Sequence, residues 1–177
     1  SNNEEIKIQS IDHIIKAINL CADINGELYT FHPGFLTDPH GPNANDKNYD
    51  FQWDDDKKKN INYKDTIDSL YNTLDLIVNH AINKNVKIAI ETQGSFNNNG
   101  HLIFQKPEEY YPLINRYKPS EIGINLNLGH LILSSNAFGF SKENLISIID
   151  NYIVAMELSH NDGIEDQHLP IANEAWY

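Results

Sequence analysis

Apolar residues along the chain repeat alternately at helical spacing and in short continuous runs. Ile11, Ile14, Ile15 and Ile18 share one face of a helix that Ser10 can cap, and Asn25-Gly26 ends it. Leu28-Tyr29-Thr30-Phe31 then reads as a buried strand. A second helix gathers Ile67, Leu70, Tyr71, Leu74, Ile77, Val78 and Ala81, and Val86 to Ile90 forms the next strand. Pro107 suits the first turn of a helix that shows Tyr110, Leu113, Ile114 and Tyr117 on one side, followed by a strand over Ile122 to Leu126. Ser141 can cap a helix carrying Leu145, Ile148, Ile149 and Tyr152, and Ile153 to Met156 closes the series.

Strands separated by amphipathic helices predict right-handed parallel βαβ units. An open doubly wound sheet and a TIM barrel both satisfy this. No G-x-G-x-x-G opens any helix and no Walker A loop occurs, which counts against a nucleotide-binding sheet. Polar residues sharpen the choice. His32 follows the first strand, Glu91 the second, Asn127 and His130 the third, and Glu157 to His160 the last. In a barrel these ends converge on one mouth, where barrel active sites lie. The predicted fold is therefore α/β, a TIM (β/α)8 barrel represented by about four βα units. Residues 1–177 are expected to form one such domain, with further elements before Ser10 and after Tyr177, since a full barrel needs about 250 residues.

Two connections are distinctive. Pro33 to Asn62 is too long for an ordinary βα loop and carries Tyr49, Phe51 and Trp53, so it reads either as an insertion or as a lid with an aromatic over substrate. Gly94 to Gly100 is rich in Asn and Gly and could cross the mouth.

Composition narrows the partners. A net charge of -12 repels nucleic acid, and Lys57-Lys58-Lys59 is largely cancelled by Asp54-Asp55-Asp56. Cys21 is the only cysteine, which excludes an internal disulfide and a Cys-based zinc site and leaves it a packing role. No apolar run is long enough to span a membrane and no signal-peptide pattern is evident, so a cytoplasmic location is expected.

The chemistry-bearing units are His32-Pro33-Gly34, Glu91-Thr92-Gln93-Gly94, Asn127-Leu128-Gly129-His130, His160-Asn161-Asp162-Gly163 and Asp166-Gln167-His168. Their nitrogen and oxygen donors suit Zn, Mn, Mg or Co. A carboxylate such as Glu91, at the end of a buried strand, is costly unless paired or coordinated. His13 and His80 lie on helices and read as surface or boundary residues, while His40 and His101 are loop residues with no clear partner.

This order of units, each after a parallel strand, resembles the xylose isomerase-like superfamily of sugar isomerases, epimerases and endonuclease IV-type nucleases. The resemblance runs from about His32 to Pro170. It implies metal ligation by Glu91, Asn127, His130, Glu157, Asp166 and His168, with Glu91 also contacting substrate and acting as acid/base. His32 would take part in catalysis or substrate contact, and Trp53 and His160 would contact substrate. The family pattern departs at two places. Its ligand Asp is here Asn127, a neutral and weaker ligand, and Glu157 stands where a ligand His is expected. The carboxylate that returns a proton would lie beyond Tyr177.

The function so implied is a metal-dependent sugar or sugar-phosphate isomerase or epimerase acting through an enediolate. Its partner is a small sugar, and association with further copies of itself is compatible with it. Two other readings stand beside it. An abasic-site endonuclease is opposed by the acidic charge, and a metal-free carbohydrate-binding barrel is favoured by Asn127 and Glu157.

Overall fold

A computed structural model describes residues 3–42, 51–53, 61–94, 101–171, 173 and 175–177. Tyr49, the runs 54–56 and 57–59, and residues 95–100 of the Asn/Gly-rich loop lie outside the described residues.

Helix α1 (Glu4–Asp23) starts well before the expected Ser10 cap. Asn3 caps it instead, its side-chain oxygen accepting from the N–H groups of Glu5 and Ile6, with Glu4 and Glu5 at the positive end of the helix. Ser10 lies inside the helix, where its hydroxyl donates back to the Ile6 carbonyl at 2.8 Å. Asn25, at φ +59°, turns the chain out of the helix, a conformation that Asn tolerates better than most residues.

Strand β1 (Leu28–Phe31) follows, then a two-residue pair, β2 (Gly41–Pro42) and β3 (Phe51–Gln52), set antiparallel within the long connection. Asn62 caps α2 (Tyr63–Asn83), which leads to β4 (Lys87–Glu91). Pro107 does open a helical segment, but as a 3₁₀ turn over Pro107–Glu109 followed by the short α3 (Tyr111–Arg116). Strand β5 (Ile122–Asn127) passes directly into α4 (Leu128–Phe138). Ser141 caps α5 (Lys142–Ile149), as expected, and a 3₁₀ turn leads to β6 (Ile153–Glu157).

The four long strands form one parallel sheet in the order β1-β4-β5-β6. That order is simply the chain order with the small β2-β3 pair left out. A doubly wound sheet reverses direction at a switch point, whereas a barrel adds each strand beside the last, so the topology is that of barrel βα units. The central strands β4 and β5 are buried almost throughout, with Ile88, Ile90, Ile122 and Ile124 fully enclosed. The outer strands are only half-buried, which corrects the expectation of a buried Leu28–Phe31. Cys21 is likewise partly buried, packed against the core with its thiol 3.5 Å from the Leu28 carbonyl.

The sheet's registry carries the site. Glu91 pairs with Asn125 and Asn127 with Glu157, so the polar residues stand side by side at the C-terminal edge. An irregularity between β5 and β6 places Val154 against Gly123, where a side chain at 123 would meet a Val154 methyl at 2.4 Å. Among the described residues, no helix is long and apolar enough to cross a membrane.

Candidate functional site

A cavity of about 260 Å³ opens at the C-terminal ends of the strands, lined by His32, Phe35, Glu91, Gln93, Gly94, Leu102, His130, Glu157, Asp166 and His168. A larger cavity of about 650 Å³ lies between α1, α2 and the turn after β1, where aliphatic side chains such as Ile14, Leu74 and Ile77 are mixed with polar ones such as Lys7, Asp38 and Asp65. The close-set group of Glu91, His130, Asp166 and His168 belongs to the smaller one.

Glu91 is the last residue of β4 and is 8% exposed. Its Oε1 accepts from the Asn127 amide at 3.0 Å and stands 3.3 Å from His130 Nδ1, while Oε2 lies 3.8 Å from His32 Nε2. Burial of this carboxylate is thus offset by polar partners on three sides.

His130 sits in the first turn of α4, whose N-terminus Asn127 caps by accepting the His130 N–H at 3.1 Å. Nδ1 of its ring lies 2.8 Å from the Thr92 carbonyl, which can only accept, so Nδ1 carries a proton. That contact aims Nε2 at Asp166, 3.4 Å away. Burial opposes a charge on His130, but the hydrogen bond and charge of Asp166, the Thr92 carbonyl and Glu91 outweigh it, and the imidazole is pushed up to about 9. Burial also works against the Asp166 charge, yet His130 and then His168 hold its carboxyl below the ordinary range.

Asp166 and His168 arrive on the segment after β6. His160 and Leu169 exchange backbone hydrogen bonds of 2.9 and 2.8 Å and fold the intervening residues back over the strand ends. Asp162 accepts from the N–H groups of Ile164 and Glu165, and Asn136 on α4 donates to the Gly163 carbonyl. His168 takes φ +49° and brings Nε2 within 3.2 to 3.3 Å of both Asp166 oxygens.

His130, Asp166 and His168 each offer one donor atom, and the three atoms lie within 4.8 Å of one another. Donors at about 2.0–2.2 Å from one tetrahedral ion stand about 3.3–3.6 Å apart, and Asp166 Oδ2 already lies 3.4 Å from His130 Nε2 and 3.3 Å from His168 Nε2. Asp166 Oδ1 is buried and accepts no hydrogen bond among the described residues, a deficit that a cation would remove. Two nitrogens and a carboxylate, with Glu91 adjacent, fit a borderline divalent ion such as Zn, Mn or Co.

Several expected site residues stand elsewhere. Asn127 is fully buried and does not line the cavity; its amide is engaged with Glu91 and the α4 N-terminus, so it supports the site from behind rather than as a ligand. Glu157 lines the cavity but stands outside the three-residue donor group. His160 lines neither cavity, because its backbone pairing with Leu169 makes it the hinge of the returning loop. Trp53 does not reach the cavity either. Its ring stacks on His101 at 4.9 Å and meets Phe35 edge-on at 5.2 Å, and only Phe35 touches the space.

His101, expected to lack a partner, is buried at 2% exposure with Nδ1 2.7 Å from the Thr37 hydroxyl. His13 is exposed, and His80 is half-buried with Nε2 3.0 Å from the Asn19 side-chain oxygen. Phe35, Leu102 and Gln93 line the cavity without having been singled out from the sequence. Gln93 lay within the Glu91-Thr92-Gln93-Gly94 unit; the two apolar residues had no local signal, since Phe35 meets Leu102 across a bridge between distant loops.

Comparison with known proteins agrees with this architecture. Residues 1–174 match the profile of the xylose isomerase-like TIM barrel family. An uncharacterised protein of Methanocaldococcus jannaschii is 23% identical over 172 residues, covering 97% of this chain and 50% of that protein. The crystal structure of a D-tagatose 3-epimerase-like protein superposes with a TM-score of 0.69 at 22% identity, covering 98% of this chain and 56% of the other. A putative xylose isomerase from Rhodospirillum rubrum gives 0.67 at 13% identity, covering 94% and 51%. The chain spans about half the length of these relatives. With a family match across nearly all its residues and the strand order of barrel βα units, the chain belongs to the xylose isomerase-like TIM barrel family.

Proposed function

We propose that this chain carries the ligand and proton-abstracting face of a metal-dependent sugar or sugar-phosphate isomerase or epimerase. The observation that carries the reading is the meeting of Glu91, His130, Asp166 and His168 in one cavity at the C-terminal ends of parallel strands. The similarity to a D-tagatose 3-epimerase-like protein is in keeping with it.

His130 Nε2, the Asp166 carboxylate, His168 Nε2 and Glu91 would hold the ion. When bound, it supplies a Lewis acid that polarises a substrate carbonyl. Glu91 is the base, taking the proton from the carbon next to that carbonyl and leaving an enediolate. Asn127 holds Oε1, with the His130 ring beside it, so the carboxylate meets substrate through Oε2, on the side of His32. His32, half-exposed at the rim, is placed to contact a substrate oxygen. Phe35 and Leu102 shield the pocket from water.

The test uses the full-length protein with Mn²⁺ and a panel of ketoses and aldoses in D₂O. Deuterium is expected to enter at the carbon next to the carbonyl, and Glu91→Gln to slow that entry by about 100-fold or more. If metal binds and no sugar takes up deuterium, the isomerase reading is wrong. Asn127 favours a second reading, a non-catalytic sugar-binding barrel, because its amide stabilises Glu91 without a cation. Purified protein that binds sugar but no divalent metal would select it.

A further inference from the structure

Gln93 has no part in the ligand set or the proton transfer, yet its side chain is set into the wall of the same cavity, 3% exposed. Its backbone is fixed on both sides. The N–H donates to the Phe104 carbonyl at 3.2 Å, and its carbonyl accepts from the Ser134 hydroxyl at 2.8 Å. Nε2 of the side chain donates to the Gly34 carbonyl at 3.2 Å, and Oε1 is buried without a hydrogen bond among the described residues.

The amide's direction follows from these contacts. Reversed, it would set Oε1 against the Gly34 carbonyl, acceptor against acceptor, and take away the donor that Gly34 uses. Gln93 therefore holds a fixed, unsatisfied carbonyl oxygen buried in the wall of the cavity. A buried acceptor of this kind is unfavourable unless something donates to it. Among groups that a neutral amide oxygen can recognise, a hydroxyl is the donor that a polyhydroxylated ligand offers at nearly every carbon.

We infer that Gln93 Oε1 accepts a hydrogen bond from one substrate hydroxyl and is a specificity-determining residue of the site. This rests on the reading of the cavity as a sugar site. Because the same amide holds Gly34, it also ties the His32-Pro33-Gly34 turn to the bound sugar. A sugar lacking that hydroxyl, or holding it in the opposite configuration, leaves Oε1 unmet and binds less well.

The experiment measures binding of D-fructose, its five mono-deoxy derivatives at C1, C3, C4, C5 and C6, and its C3, C4 and C5 epimers, by calorimetry on the full-length protein with Mn²⁺. One deoxy sugar is expected to bind the wild type about tenfold more weakly than D-fructose. Gln93→Met should bind D-fructose about tenfold more weakly and no longer distinguish it from that deoxy sugar. Gln93→Asn, which withdraws the oxygen by one methylene, should lose the same discrimination and serves if the Met variant does not fold. Wild-type protein that treats all the sugars alike overturns the inference, as does a folded variant that keeps the wild-type preference, which would mean that Oε1 meets only water. If the wild type binds none of the sugars, the sugar-site reading falls, and this inference with it.

Discussion

Exchanging Asn127 for Asp alters one atom of a fully buried side chain, and the structure indicates what that atom does. Asn127 Nδ2 donates to Glu91 Oε1 at 3.0 Å, while Oδ1 accepts the His130 N–H. In Asn127→Asp the second contact survives and the first becomes carboxylate against carboxylate. Two unit charges about 4 Å apart repel by about 4 kcal/mol at an effective dielectric of about 20. Loss of the hydrogen bond adds about 1 kcal/mol. Rotation of Glu91 toward the cavity relieves part of this, so the expected destabilisation is about 2–4 kcal/mol. Urea unfolding of both proteins at pH 8 in EDTA reads it. The gap should narrow at acidic pH, where protonation removes the repulsion, and narrow again when Mn²⁺ replaces EDTA. Equal stability in EDTA would refute the argument, since the Asn127 amide could not then face Glu91.

Three further substitutions probe the frame around the site. Gly94→Ala would set a methyl 2.1 Å from the His130 carbonyl oxygen, so thermal unfolding should show a loss of about 1–3 kcal/mol, and unchanged stability would mean that the segment after β4 does not approach α4 as described. Tyr110→Phe removes the donor 2.6 Å from the Phe104 carbonyl in a fully buried setting and should cost about 1–3 kcal/mol in urea unfolding, with no loss refuting that bond. Asp75 is held below the ordinary carboxylate range by hydrogen bonds from Arg116 and Tyr117, so its contribution is present above that range and lost as pH falls through its lowered value. Being partly exposed, it should supply less than about 1 kcal/mol, and Asp75→Asn should remove that acid-side slope from a pH–stability curve, an unchanged slope refuting the assignment.

Most of the barrel units were legible because their helices and strands repeat an apolar period and a polar residue marks the end of every long strand; α4 was not, because it is buried on most sides and shows no amphipathic stripe. Glu91 and His130 could be placed at or just beyond strand ends from those polar marks, while the helix that begins at Leu128 and fixes the direction of His130 emerged only in the structure. What failed had no local signature. Ser10 has the chemistry of a cap, but Asn3 begins the helix earlier and Ser10 turns to bond its own backbone. Asn127 occupies the family's ligand position, yet only the three-dimensional pairing shows its amide facing Glu91 and the helix end. Trp53 stacks on His101 across a long separation in sequence, a contact that no periodicity announces.

The donor set is divided between two kinds of support. Glu91 and His130 ride on a central strand and a capped helix, whereas Asp166 and His168 hang from a loop closed by the backbone hydrogen bonds between His160 and Leu169. Two side-chain bonds tie that loop to α4, from Asn136 to the Gly163 carbonyl and from Asn161 to the Gly129 carbonyl. Opening of these few bonds breaks little of the core, so the loop should exchange its amide hydrogens through a local fluctuation, while the His130 amide waits for unfolding of the whole. An ion shared by both parts would then act as a latch. Its binding energy would appear mainly as slowed exchange at His160 and Leu169, with little change at the strands, and the order in which the two halves release it would be loop first, strand ends last.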